Sequence, residues 1–273
     1  MAKTVWDPRW SQALSLGTFL MILTVWGQGP DPLCAATAVL VGLAAQMAGT
    51  LVRVAQTGKP QPWQLPSALI TSLSLSLLLR TQHWQTMALA ATLAIASKFL
   101  VRTPHKHLFN PANFGIVLTL GLTGDAWLAS GQWGAELWLG ILFVSAGAIV
   151  LGQVGRWETS GAFLLGYGGL TGMRYLWLGE SGAAWLHHVA NGSLLVFALF
   201  MLSDPRTVPD RPVTRVLWAL AIALLTFILR DGWYLPDGAF YALFALSPTV
   251  ALWDRWQPGS AYIWPQLEYG GQR

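Results

Sequence analysis

The stretch Phe109-Asn110-Pro111-Ala112-Asn113-Phe114-Gly115, followed by an apolar run to Leu122, decides how this chain is read. Asn110 carries the short amide that caps a helix, and Pro111 stands where a first helical residue needs no N–H donor. The spacing predicts a helix starting here, with Asn113 on the same face as Asn110. In apolar surroundings such a start turns backbone N–H groups and side-chain amides toward a buried partner.

The rest of the chain supplies those surroundings. Of 273 residues, 54% are hydrophobic and only 10% charged, too few charges for the surface of a soluble domain. Ten membrane spans are expected, at roughly 12–28, 33–52, 65–79, 85–101, 111–124, 137–153, 161–178, 189–203, 214–229 and 238–253. Spans 65–79 and 189–203 read as broken or tilted helices. The N-terminal residues lack the order of a leader peptide, so an uncleaved first helix is expected. The single cysteine, Cys34, excludes an internal disulfide and argues against a zinc or iron–sulfur centre built by this chain alone.

Charge gives the topology. With ten spans, thirteen basic residues fall on one side, and only Arg80, Arg174 and Arg230 fall on the other. Both termini are then expected in the cytoplasm of a multi-pass protein in a bacterial inner membrane. The formal charge of +4 is thus a matter of topology and calls for no nucleic acid. Most of the sixteen tryptophans fall near span ends, as in an interfacial belt. Trp127 and Trp133 are the ones placed to cover a ring-shaped cofactor.

Five spans precede the loop at 125–136 and five follow it, so the halves (about 12–124 and 137–253) would run in opposite directions within one membrane domain. Span three opens with Pro66-Ser67-Ala68-Leu69-Ile70-Thr71-Ser72, and its counterpart, span eight, opens around Asn191-Gly192-Ser193. Span five opens at Asn110, and span ten at Leu235-Pro236-Asp237-Gly238. Irregular backbone at membrane depth needs cover from protein or a cavity. These four segments are therefore expected to wall one central site. Packing of helices through small residues is the alternative.

Six stretches occur in a telling order across roughly residues 60 to 255. They are Ser67-Ala68-Leu69-Ile70-Thr71, Lys106-His107-Leu108-Phe109-Asn110-Pro111-Ala112, Gly124-Asp125-Ala126-Trp127, Gly192-Ser193, Ser203-Asp204-Pro205-Arg206-Thr207, and Pro236-Asp237-Gly238 with Phe240. Together they resemble the RnfD and NqrB family, membrane electron-transport proteins of the Rnf and sodium-pumping NADH:quinone reductase complexes. The resemblance implies an all-α fold of ten transmembrane helices in two inverted five-helix repeats, similar to urea transporters. It also implies flavin binding and a place among other membrane subunits of an electron-transport complex.

One departure stands out. Members of that family carry FMN esterified to a threonine between spans five and six, and here no threonine lies between Thr123 and Thr159. The missing hydroxyl argues against covalent FMN and against the family's ion pumping. A non-covalent flavin, riboflavin or FMN, is expected near the Asn-Pro-Ala segment. Its candidate residues are Ser67, Thr71, Asn110, Pro111, Asn113, Trp127, Gly192, Ser193 and Asp237.

An amide donates and accepts at once, so Asn110 and Asn113 could bond the carbonyl and imide edges of an isoalloxazine. Equally, Asn110 could only cap its helix and Asn113 bond a neighbouring one. Asp204 is expected to cap backbone or pair with Arg206 or Arg211, and Pro236-Asp237-Gly238 is first a turn. Lys98 is expected to snorkel to the interface, with a phosphate or headgroup contact as the alternative. The histidines lie at span ends, away from haem-ligating positions. No nucleotide fingerprint or nucleophile–base set is present, so the chain reads at most as a redox component of a larger complex. A channel or transporter for a small polar solute or riboflavin, and a cofactor-free structural role, are the competing functions.

Overall fold

The computed structural model describes residues 7–103, 106–129, 137–262 and 264. His105, Trp133 and most of the loop expected to cover a cofactor lie outside these residues. The described chain is helical apart from one short ribbon. Its order is α1 (Pro8–Val25), α2 (Pro32–Thr57), α3 (Leu65–Leu78), β1 (Leu79–Thr81), α4 (Trp84–Leu100), α5 (Pro111–Leu122) and β2 (Ala126–Leu128). Then come α6 (Leu137–Val154), α7 (Trp157–Leu178), α8 (Gly182–Val189), α9 (Gly192–Val196), α10 (Pro212–Phe227), α11 (Gly238–Leu246) and α12 (Thr249–Trp256). α9 and α10 each continue as a π-helical turn, Phe197–Met201 and Ile228–Gly232.

Local chemistry explains the starts and stops. Pro8, Pro32, Pro111 and Pro212 each open a helix. Asp7, Asp31, Asn110, Ser181 and Asn191 cap theirs by accepting from backbone N–H groups. α2 ends at Gly58, whose φ of 66° is the left-handed cap that glycine adopts without strain.

Every expected span contains helix, but several boundaries differ. The eighth is two pieces, Gly182–Val189 and Gly192–Met201, bent by 52° where Asn191 caps the second. The tenth breaks at Pro248, which cannot donate the hydrogen bond that a continuous helix needs there. The third stops at Leu78, where the chain turns into β1. α2 and the stretch Pro212–Gly232 are long and apolar enough to cross a membrane alone, and the bent pair adds a third such element.

The ribbon was not foreseen. β1 and β2 pair antiparallel, with Leu79 opposite Leu128, Arg80 opposite Trp127 and Thr81 opposite Ala126. Its purpose follows from length. α3 has 14 residues and α5 has 12, so at 1.5 Å per residue they reach about 21 and 18 Å, well short of a hydrocarbon core of about 30 Å. Extended strands carry both chains onward, and pairing satisfies backbone groups the helices leave open. At the ribbon's end Asp125 accepts from the Thr86 hydroxyl and lies 2.9 Å from His83 Nδ1.

Leu14, Met21, Val25, Leu40, Leu165, Met173 and Leu176 are all exposed, so the outer flanks are apolar, as suits a lipid-facing surface. Inside, α2 packs on α4, α4 on α5, α7 on α10 and α10 on α11. The α4–α5 contact is close enough to exclude a side chain: a Cβ on Gly115 would lie 2.6 Å from the Ala90 carbonyl oxygen. Gly115→Ala should therefore cost about 1–3 kcal/mol of stability through overpacking. Gly121→Ala, with open space around it, should be nearly neutral. Thermal unfolding in detergent compares the two.

Candidate functional site

The polar starts expected to wall one central site instead line, among the described residues, two separate cavities toward opposite ends of the helices. At the end carrying most of the basic residues, a cavity of about 70 Å³ includes Ser67, Thr71, Asn110 and Pro111 in its lining. At the other end, a cavity of about 260 Å³ includes Asn191, Ser193, Arg230, Asp237 and Phe240. We call these the inner and outer cavities. Gly192, Asn113 and Trp127 line neither.

The inner end is built on the cap of α5. Asn110 Oδ1 accepts from Asn113 N at 3.1 Å, and Nδ2 donates to the Met201 carbonyl at 3.2 Å and to Asp204 Oδ2 at 3.4 Å. Its amide is thus engaged on both sides within the protein. Asp204 also accepts from Arg206 N at 3.0 Å, the turn-capping role expected of it. Burial holds the Asp204 carboxyl above its ordinary range, against the pull of that hydrogen bond and of Arg206 and Lys98.

Between the cavities stands Asn113, fully buried, whose Nδ2 donates to the Phe240 carbonyl at 3.2 Å. It binds α5 to α11, the neighbour-bonding alternative for this residue. Around it, Phe197 packs against Phe240 at 5.1 Å and against Phe163 at 5.4 Å. The π turn Phe197–Met201 is buried throughout. A partition of aromatic rings and one amide therefore fills the place where a polar pocket was expected. Large apolar side chains account for this, because Phe197 and Phe240 occupy the space that small residues would have left open.

At the outer end, Asn191 Oδ1 caps α9 by accepting from Ser193 N at 3.0 Å and Leu194 N at 3.3 Å. Ser193 Oγ donates to the Ala129 carbonyl at 2.7 Å, fastening α9 to the chain leaving β2. Asp237 faces Arg230: burial raises its carboxyl, and the guanidinium partly restores it. Trp127 is exposed on the ribbon, opposite Arg80.

Sequence reasoning gave Arg230, His107 and Lys106 no role in a site, although Lys106 and His107 fall in one of the family-like stretches. Arg230 was counted only as a topological charge, and it needs the π turn to bring it to the cavity. Lys106 Nζ meets Asp210 Oδ1 at 2.8 Å and Asp254 Oδ2 at 2.6 Å, locking three distant segments together. Lys98 does not snorkel. It is buried and donates to the Ser67 carbonyl of α3 at 3.1 Å.

A family model described as the NQR2, RnfD, RnfE family matches residues 122–261, just over half of the chain. The D-type component of the ion-translocating oxidoreductase complex of Psychromonas ingrahamii is 29% identical over 143 residues, 52% of this chain and 39% of that protein. Its namesake in Yersinia pseudotuberculosis is 26% identical over 126 residues, 46% of this chain and 36% of its own. That of Klebsiella pneumoniae is 29% identical over 118 residues, 43% and 34% of the two chains. This chain thus spans between about a third and two-fifths of the length of these curated relatives.

His107, in the loop between α4 and α5, generates a pH prediction. Burial first, and then Arg206, Lys98, Arg102 and Arg53, pull its pKa down to about 3. A folded-state pKa below the unfolded value of about 6.5 gives stability that is present above that value. The contribution is lost as pH falls from there toward 3. His107→Gln should flatten the fall in unfolding temperature between about pH 6.5 and pH 4, measured by thermal unfolding across that range. An unchanged slope would remove this histidine from the account.

Proposed function

The chain belongs to the NQR2, RnfD, RnfE family, and from that premise we propose that it is a membrane component of an electron-transfer complex holding a flavin non-covalently at its outer cavity. The observation that carries this reading is the difference in room between the two ends. Small-molecule pockets begin at about 300 Å³. The outer cavity, at about 260 Å³, approaches that bound, whereas the inner one, at about 70 Å³, holds only a few waters. The lining also suits the ring: Phe240 offers an aromatic surface, Arg230 a forked donor, and Ser193 a hydroxyl.

Bound there, riboflavin or FMN would supply the reversible electron transfer that amino-acid side chains do not. The chain's own residues position and insulate. Arg230 gives directional hydrogen bonds, the Ser193 oxygen, whose proton goes to the Ala129 carbonyl, accepts one, and Asp237 balances the guanidinium charge. Gly192 carries no side chain to crowd the start of α9. Asn113 acts one step back, fixing Phe240 through its carbonyl. The inner residues Ser67, Thr71, Asn110 and Pro111 close the opposite end. A packed partition suits electrons, which cross short stretches of protein, better than solutes, which need a passage. The transporter reading receives less support for that reason.

The finer architecture belongs to the same proposal: ten crossings of an inner membrane, two inverted five-helix repeats in one domain, and both termini cytoplasmic. Matching contacts support it. In the first half α1 packs on α3, α2 on α4 and α4 on α5. In the second α6 packs on α9, α7 on α10 and α10 on α11. The relatives are named as parts of an ion-translocating oxidoreductase complex, which supports further members of such a complex as partners.

The test is an absorbance and fluorescence spectrum of the purified protein before and after acid precipitation. Released flavin is expected in the supernatant. Ser193→Leu and Arg230→Leu should lower retention about tenfold or more, the effect of losing a hydrogen bond to a buried group. Thr71→Leu at the inner cavity should leave retention unchanged. A colourless protein, or loss on Thr71→Leu alone, would contradict the assignment.

A further inference from the structure

Beside the inner cavity, and sharing Gln64, Ser67, His107 and Arg206 with it, lies a second space of about 120 Å³. Four cationic side chains from separate segments meet there: Arg53 of α2, Lys98 of α4, Arg102 after α4, and Arg206 beyond the π turn. No carboxylate lines this space among the described residues. Such a gathering of like charge is unfavourable unless something offsets it.

Lys98 makes the imbalance acute. It is only 6% exposed, and Nζ donates to the Ser67 carbonyl at 3.1 Å and to Ser67 Oγ at 3.2 Å, both uncharged. Among the described residues Lys98, Arg53 and Arg102 form no ion pair with a carboxylate. Buried charges are normally paired, because desolvation without a counter-charge is costly. Arg53 stacks over the Phe99 ring at 5.6 Å, which orients the guanidinium but does not neutralise it. The acid facing this group, Asp204, lines the inner cavity, where it accepts from Arg206 N and Asn110 Nδ2. His107 registers the surrounding charge: after burial, the four cations are what hold its imidazole neutral.

We propose that this space is a phosphate-binding site, in which a phosphoryl group from a phospholipid headgroup or a soluble phosphate seats against Lys98, Arg53 and Arg102. A phosphoryl group suits the donors because several anionic oxygens can meet two forked guanidiniums and an ammonium at once. The room admits a compact tetrahedral group and excludes a ring system. Gln46 and Gln64 add neutral amides to the lining. The site stands on this charge balance alone and does not depend on a flavin at the outer end.

The experiment uses the full chain in detergent. Bound phosphorus is measured after organic extraction, with mass spectrometry identifying any lipid. The delipidated protein is then titrated with inorganic phosphate, against chloride at equal ionic strength, while its unfolding temperature is followed. A phospholipid stoichiometric with the chain identifies the headgroup as the source. A saturable rise in unfolding temperature specific to phosphate identifies the soluble ion. Arg102→Gln, at an exposed position, should weaken whichever binding is found by about tenfold, and Arg174→Gln on the opposite face should leave it unchanged. Lys98→Met should abolish binding yet raise the unfolding temperature of the phosphate-free protein, which loss of a merely structural lysine would lower. Neither bound phosphorus nor a phosphate-specific shift, or equal binding by Arg102→Gln, overturns the proposal.

Discussion

Helices that begin inside an apolar body have no water to satisfy their first backbone donors, and this constraint organises the molecule. α5 and α9 both start in this way, and both start on asparagine. Asn110 answers for Asn113 N, and Asn191 answers for Ser193 N and Leu194 N. The remaining amide, Asn113, reaches across to the Phe240 carbonyl and joins α5 to α11. Breaking such a buried bond from one side leaves an orphaned polar group, which costs more than the bond itself contributes. The polar starts thus hold the structure together as well as line its cavities.

From this joint the division into two ends follows. Asn113, Phe197 and Phe240 are buried between the inner and outer cavities. The faces differ in character. One gathers Arg53, Lys98, Arg102 and Arg206 around small spaces. The other has a larger cavity in which Arg230 and Asp237 offset each other. A protein of this form presents different chemistry at each end.

Much of this was legible in the sequence where the signal is local. Asn-Pro at 110–111 announced a capped helix because the cap and the proline act within one turn. Asn191 before Gly192-Ser193 likewise marked a polar opening of the eighth span, though not the bent helix before it. What stayed hidden depends on distant partners. Nothing near Asn113 points to Phe240, which lies 127 residues away. Three-residue strands carry no periodicity to read, so Leu79 passed as the end of an apolar helix and Arg80 and Thr81 as loop. Lys98 lies near a helix end and reads as snorkelling until Ser67 of α3 is found beside it. Pro248 was visible, yet the hydropathy of the run around it outweighed it. The family resemblance was legible because its six short stretches keep their order.

The central claim is a partition at Asn113 and Phe240, with the larger of the two cavities on the outer side of it. An electron cryo-microscopy map of the purified chain, with whatever co-purifies with it, tests this most directly. The account predicts packed side-chain density from Asn113 to Phe197, and flat three-ring density beside Ser193 and Phe240. Flat density beside Ser67 and Asn110, or a water-filled path running through the middle, would contradict it.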